Sequence, residues 1–140
     1  MVANRHRFRV YYGDTDMAGI VYYANYLRWF EAGRSELIKS LGISYKTLSD
    51  TGRTAPVTSA SLRYLAPARY EDELELETKV EETRQVSFRI SYRLVRLADS
   101  VLVCTGETTH ACVDEQGKLT RLPPAFRAAL SGQPEQPGQP

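Results

Sequence analysis

Asp14-Thr15-Asp16-Met17-Ala18-Gly19-Ile20-Val21-Tyr22-Tyr23-Ala24-Asn25-Tyr26 decides how the rest of this chain is read. Two acids stand just after a strand-like run and just before a long helical pattern, with a glycine and bulky residues between. Such an arrangement sets a buried carboxylate opposite a helix N-terminus, where unsatisfied backbone N–H groups stabilise developing negative charge. An isolated D-x-D more often shapes a turn, because an aspartate side chain accepts from nearby backbone N–H groups. Here the turn glycine, the apolar plug and the helix start are set together, which is far more specific than an acidic pair.

Outward from that stretch, the patterning is regular. Upstream, residues 5–12 alternate, with His6, Phe8, Val10 and Tyr12 on one face and Arg5, Arg7 and Arg9 on the other, as in a half-buried strand. The three arginines read as a solvated strand face; the sharper reading is that they attract phosphates. Downstream, apolar positions recur at three- and four-residue intervals over residues 23–41, which predicts an amphipathic helix of about five turns ending at Gly42. Ala32 and Gly33 allow the middle of that helix a close approach to its neighbour. A short helical or turn segment follows at 44–49.

Beyond it the period falls to two. Strands are predicted at 55–64, around 74–81, at 86–94 and at 101–113, with a short helix at 125–130. Glutamates alternate through the second of these strands and arginines through the third. Paired as a hairpin turning near Thr83, they place opposite charges side by side. The order of one strand, one long helix and four strands suits a single antiparallel sheet wrapped around the helix, an α+β architecture. One domain over 1–131 is expected, followed by a disordered Gly/Pro/Gln/Glu tail at 132–140.

Composition narrows the function. With 140 residues the chain supports one compact core. Its 18 Lys+Arg against 17 Asp+Glu give a net charge of +1, which generates no field for nucleic acid. No apolar run is long enough for a membrane span and no apolar block stands at the start, so a cytoplasmic protein is expected. Cys104 and Cys112 lie about 27 Å apart on one extended strand, far beyond the ~7 Å that a disulfide spans. The two histidines, His6 and His110, offer no zinc-ligand spacing, so no metal is expected.

The D-T-D-M-A-G-I-V-Y-Y-A-N-Y run, its continuation Leu27-Arg28-Trp29-Phe30-Glu31, and a second stretch at Leu65-Ala66-Pro67-Ala68-Arg69-Tyr70-Glu71-Asp72 resemble the acyl-CoA thioesterases of the hotdog fold. The resemblance covers residues 7–123 and lies nearest the 4-hydroxybenzoyl-CoA thioesterase family and its YbgC-like branch. It implies a thioester hydrolase in which Asp16, the second acid, is nucleophile or general base and the Tyr23 backbone N–H receives the oxyanion. Many YbgC-like members carry histidine where Tyr23 stands, so this chain follows the hydroxybenzoyl-type pattern at that position. Gly19 then lets the loop pass close to the thioester, Tyr26 and Glu31 fall to the substrate side, and Asp14 shapes the turn. Glu31 is equally explained by an ion pair with Arg34.

The same resemblance assigns Arg84, Ser87 and Arg89, often supplied by a neighbouring subunit, to the nucleotide end of coenzyme A. It further implies a dimer at least, joined edge to edge, with a tetramer expected. Coenzyme A enters as part of the substrate and no separate cofactor is expected. Tyr22, Tyr23, Tyr26, Trp29 and Tyr45 are candidates for an aromatic acyl pocket or for plain core, and acyl identity is not legible. The alternative is a non-catalytic module on the same scaffold that binds acyl-CoA or acyl-carrier protein. A serine hydrolase is disfavoured because G-x-S-x-G is missing. A hotdog dehydratase is disfavoured because neither histidine lies near the helix start.

Overall fold

The architecture is given by a computed structural model that describes residues 2–132. The expected disordered tail falls outside the described residues, apart from Gly132. Five strands, β1 (Ala3–Arg9), β2 (Val57–Tyr64), β3 (Glu73–Thr83), β4 (Ser87–Arg96) and β5 (Val101–Ala111), form one antiparallel sheet in the order β1-β3-β4-β5-β2. The long helix α1 (Asn25–Ser40) follows β1; α2 (Tyr45–Ser49) and α3 (Pro124–Ser131) are short. This is the expected α+β hotdog arrangement, one helix wrapped by a five-stranded sheet.

Packing of α1 depends on two glycines. A Cβ on Gly33 would stand 2.6 Å from Leu76 Cδ2 and 2.7 Å from Thr78 Oγ1, so the helix sits as close to β3 as a hydrogen atom permits. On the sheet side, Gly106 leaves room for the Phe30 ring, which stacks on Tyr92 at 4.2 Å. Phe30, Leu37 and Ile38 of α1 are buried in one cluster with Leu74, Leu76, Ile90 and Leu94 of the central strands.

Strand β2 closes one edge of the sheet, and seven of its eight residues are exposed, with only Leu62 half-buried. At its Tyr64 end the exposed side chains of Tyr23, Tyr64 and Leu65 gather around one cleft, with the Tyr23 and Tyr64 rings 6.4 Å apart. An apolar-rimmed open edge of this kind invites strand pairing.

One charge expectation holds in part and one is corrected. The β3–β4 hairpin does set opposite charges side by side, with Glu77↔Arg93 and Glu82↔Arg89 in register and Arg89 Nη2 3.5 Å from Glu82. The β3 glutamates are taken mainly by β1: Arg7 Nε lies 2.8 Å from Glu75 and Arg5 Nη2 lies 3.3 Å from Glu77, in the register Arg7↔Glu75 and Arg5↔Glu77. Arg93 stands opposite Glu77 on the other side yet makes no ion pair among the described residues. The Glu31–Arg34 pair is also not formed among the described residues. Arg34 leans toward the sheet instead, and its Nη1 donates to the Tyr92 hydroxyl at 3.1 Å. Tyr92 continues to Thr108 at 2.6 Å, and Thr108 to His110 Nε2 at 2.9 Å.

Candidate active site

The D-x-D stretch folds as a small hairpin. Thr15 and Val21 form an antiparallel bridge, the Asp16 N–H donates to Ile20 O at 2.9 Å, and the Gly19 N–H donates to Asp16 O at 3.0 Å. Gly19 takes φ +79°, a left-handed value that glycine accepts without strain. Asp16 Oδ1 accepts from the Ala18 N–H at 2.8 Å, the side-chain turn that aspartate makes readily. The second motif stretch supports the hairpin from below: the Val21 N–H donates to the carbonyl of buried Ala68 at 2.9 Å.

The two acids differ in burial. Asp14 is 8% exposed, whereas Asp16 is exposed in the protomer. The cause is local: Asp14 Oδ1 receives Arg28 Nη2 at 2.6 Å and Oδ2 receives the Tyr11 N–H at 2.9 Å, while nothing of this chain covers Asp16. The buried carboxylate expected opposite the helix is therefore Asp14, in its expected turn-shaping part, and Asp16 stands on the outer side of the hairpin.

Helix α1 begins without a side-chain cap, because Ala24 stands at the cap position. Serine or aspartate there would normally accept a first-turn N–H. The Asn25 N–H turns back to Tyr22 O at 2.9 Å, and among the described residues the Tyr23 N–H has no acceptor. Beside it opens a cleft of about 430 Å³ lined by Ile20, Tyr23, Tyr26, Tyr64, Leu65 and Pro67 among others. Burial pushes the Tyr26 phenol up to about 12 and the neighbouring Cys104 thiol up to about 11, so both are neutral floor groups.

Of the expected site residues, Tyr23 and Tyr26 share this cleft, and Asp16 and Gly19 lie in the hairpin that leads into it through Ile20. Glu31 is exposed, two turns further along α1, and does not line the cleft. Arg84, Ser87 and Arg89 come together elsewhere, around a recess of about 230 Å³ at the β3–β4 turn. There Arg89 is held by Glu107 at 2.7 Å and Glu82 at 3.5 Å, and Arg84 also contacts Glu82. The Arg84 contact and Arg89 hold the Glu82 carboxyl below its ordinary value.

The recess and the cleft sit at opposite ends of β2. Thr109, in the recess, pairs with Ser59, and Cys104, under the cleft, pairs with Tyr64. Five residues of β5 separate them, about 17 Å. Two residues that sequence reasoning passed over also belong to the cleft region: Tyr64, whose hydroxyl donates to Tyr23 O at 3.0 Å, and Asn25, whose Nδ2 donates to Asp14 O at 2.8 Å. His110 is buried and neutral. Desolvation, followed by the Arg34 charge, lowers its pKa to about 4.

Among the described residues no group of His, Cys, Asp and Glu gathers as metal ligands, and no helix is long and apolar enough to cross a membrane. Comparison with known proteins supplies the remaining information. The acyl-CoA thioesterase YbgC of Haemophilus influenzae is 35% identical over 125 residues, 87% of this chain and 90% of that protein. The crystal structure of a DHNA-CoA thioesterase from Staphylococcus aureus superposes with a TM-score of 0.88 at 29% identity, covering 94% of this chain and 91% of that one. A 4-hydroxybenzoyl-CoA thioesterase mutant complexed with 4-hydroxybenzoyl-CoA shares the fold, with a TM-score of 0.84 at 24% identity over 93% of this chain and 99% of that one. The family profile described as the thioesterase-like superfamily matches residues 10–130. This chain belongs to the thioesterase-like superfamily and is a thioester hydrolase of the hotdog fold.

Proposed function

We propose that the protein hydrolyses the thioester of a small or medium acyl-CoA to the free acid and coenzyme A, as a single domain over 1–131 that acts in a dimer. Asp16 either attacks the carbonyl carbon, giving an anhydride that water then opens, or takes a proton from the attacking water. The carbonyl oxygen gains negative charge as the new C–O bond forms, and the Tyr23 N–H donates to it. The C–S bond then breaks, and the coenzyme A thiolate leaves and takes up a proton. The observation that carries the reading is the unsatisfied Tyr23 N–H, at a helix start with no side-chain cap, beside a 430 Å³ apolar cleft. One donor of this kind contributes about 2.7–4 kcal/mol of transition-state stabilisation.

Tyr26 forms the floor for the acyl group, Gly19 keeps the hairpin turn free of a side chain, and Glu31 offers a polar contact farther along α1. The open β2 edge supports pairing with a second copy. Antiparallel pairing about a two-fold axis brings the partner's Val57 end beside this chain's Tyr64 end. The coenzyme A recess of one subunit, with Arg84, Ser87 and Arg89, then lies toward the cleft of the other, and the exposed side of Asp16 faces the partner. Two such dimers form the tetramer. The reaction needs no metal or separate cofactor, and we assign the protein to the cytoplasm with its substrate.

The test is release of free thiol from a panel of short aliphatic, aromatic and longer acyl-CoAs. Wild type should turn over members of the panel, with Asp16→Asn and Asp16→Ala slower by roughly 10²–10⁴-fold and still folded. Wild-type rates no higher than those of the variants would move the protein to the binding-module reading.

A further inference from the structure

We propose that Asp14, Asn25 and Arg28 act as a positioning clamp that fixes the Asp16 hairpin, and the free Tyr23 N–H that follows it, against the start of α1; the proposal rests on the site reading above. Asp14 is held from both elements. Its carbonyl accepts the Tyr22 N–H at 2.9 Å and Asn25 Nδ2 at 2.8 Å, and its carboxylate accepts the Tyr11 N–H at 2.9 Å and Arg28 Nη2 at 2.6 Å. Tyr11 precedes the hairpin and Tyr22 leaves it. Asn25 and Arg28 sit three residues apart in the first turn of α1, on one helix face, and both reach back to the same aspartate.

The layout holds the helix start without a side-chain cap. A side-chain cap fixes a helix to the preceding loop by accepting a first-turn N–H. At position 24 such a cap would take the Tyr26 or Leu27 N–H. Ala24 offers no such acceptor, and the tether is made instead from side-chain donors, Asn25 Nδ2 and Arg28 Nη2, while the Tyr23 N–H has no acceptor among the described residues. The first acid of D-x-D thus holds the second at its working distance from the oxyanion donor, without itself touching the substrate.

Steady-state kinetics on Arg28→Met, Arg28→Lys, Asn25→Ala and Asp16→Asn, with thermal midpoints, test the clamp. Arg28→Met should lose at least tenfold in kcat while KM stays within about twofold and the midpoint moves by only a few degrees. Arg28→Lys, which restores a cation for the single 2.6 Å contact, should return kcat to within about threefold of wild type. If Arg28→Met does not fold, Asn25→Ala decides by the same kcat criterion. Wild-type kcat in Arg28→Met or Asn25→Ala, or a lysine variant as slow as the methionine one, overturns the clamp. In that case an inactive Asp16→Asn leaves the site reading standing, whereas wild-type turnover by Asp16→Asn removes both.

Discussion

The Tyr64 hydroxyl donates to the backbone carbonyl of Tyr23 at 3.0 Å, tying the edge strand of the sheet to the residue whose N–H is proposed as the oxyanion donor. The Tyr64 ring also packs edge-on against Tyr26 at 5.3 Å, so Tyr64→Phe removes one hydrogen bond and keeps the packing. A neutral hydrogen bond contributes about 1 kcal/mol. The expected result is a kcat roughly fivefold lower with KM nearly unchanged, measured by thiol release; an unchanged kcat would dissociate the strand from the oxyanion donor.

Ala60 stands in the middle of the open edge, on the same face as Leu62 and Tyr64. A two-fold axis through β2 sets each Ala60 close to its copy, so Ala60→Asp places like charges nearly opposite each other. Light scattering should report a dimer or larger for wild type and a monomer for the variant, whose turnover should fall if the proposed partner recess is lost. An oligomer that survives this change would move the interface to another face.

Gly106→Ala should destabilise without touching the chemistry. Its Cβ would meet Phe30 Cε2 at 2.5 Å and Ser61 O at 2.7 Å, and the second of these is a backbone atom that cannot swing away. Overpacking of this kind costs about 1–3 kcal/mol, readable as a lower urea midpoint at unchanged slope.

His110 predicts the direction of acid sensitivity. Its pKa is about 4 when folded against an ordinary 6.5, so the unfolded chain takes up the proton first. The stability contributed by the neutral imidazole is complete above about pH 6.5 and is lost as pH falls toward 4. A shift of this size corresponds to something on the order of 3 kcal/mol. His110→Gln should flatten the pH dependence of the urea midpoint in that window, and equal slopes for the two proteins would contradict the assignment.

Much of this molecule was legible in residue order. Period-two and helical runs locate the five strands and three α-helices of the described residues, because the pattern follows the buried face; the alternation read over 5–12 is a strand only at Ala3–Arg9 and gives way to a 3-10 turn at Tyr12–Asp14. The ends were less legible: helical spacing begins at Tyr23, yet the backbone enters α1 only at Asn25, since Tyr22 and Tyr23 serve the hairpin. Long-range choices were not legible at all. Glu77 faces an arginine on both neighbouring strands, Arg5 and Arg93, and alternation alone cannot say that β1 takes it. Asp14 and Asp16 look alike in sequence. Arg28, fourteen residues on, and the Tyr11 N–H cover one, while the other stays in the open.

The separation of cleft and recess along β2 carries a genetic consequence. If each working centre borrows its nucleotide grip from a neighbour, a subunit disabled at Asp16 and another disabled around Arg84 are complementary halves. Unfolded together and refolded as mixed pairs, they rebuild one intact centre beside one doubly broken one, and activity returns from two inactive stocks.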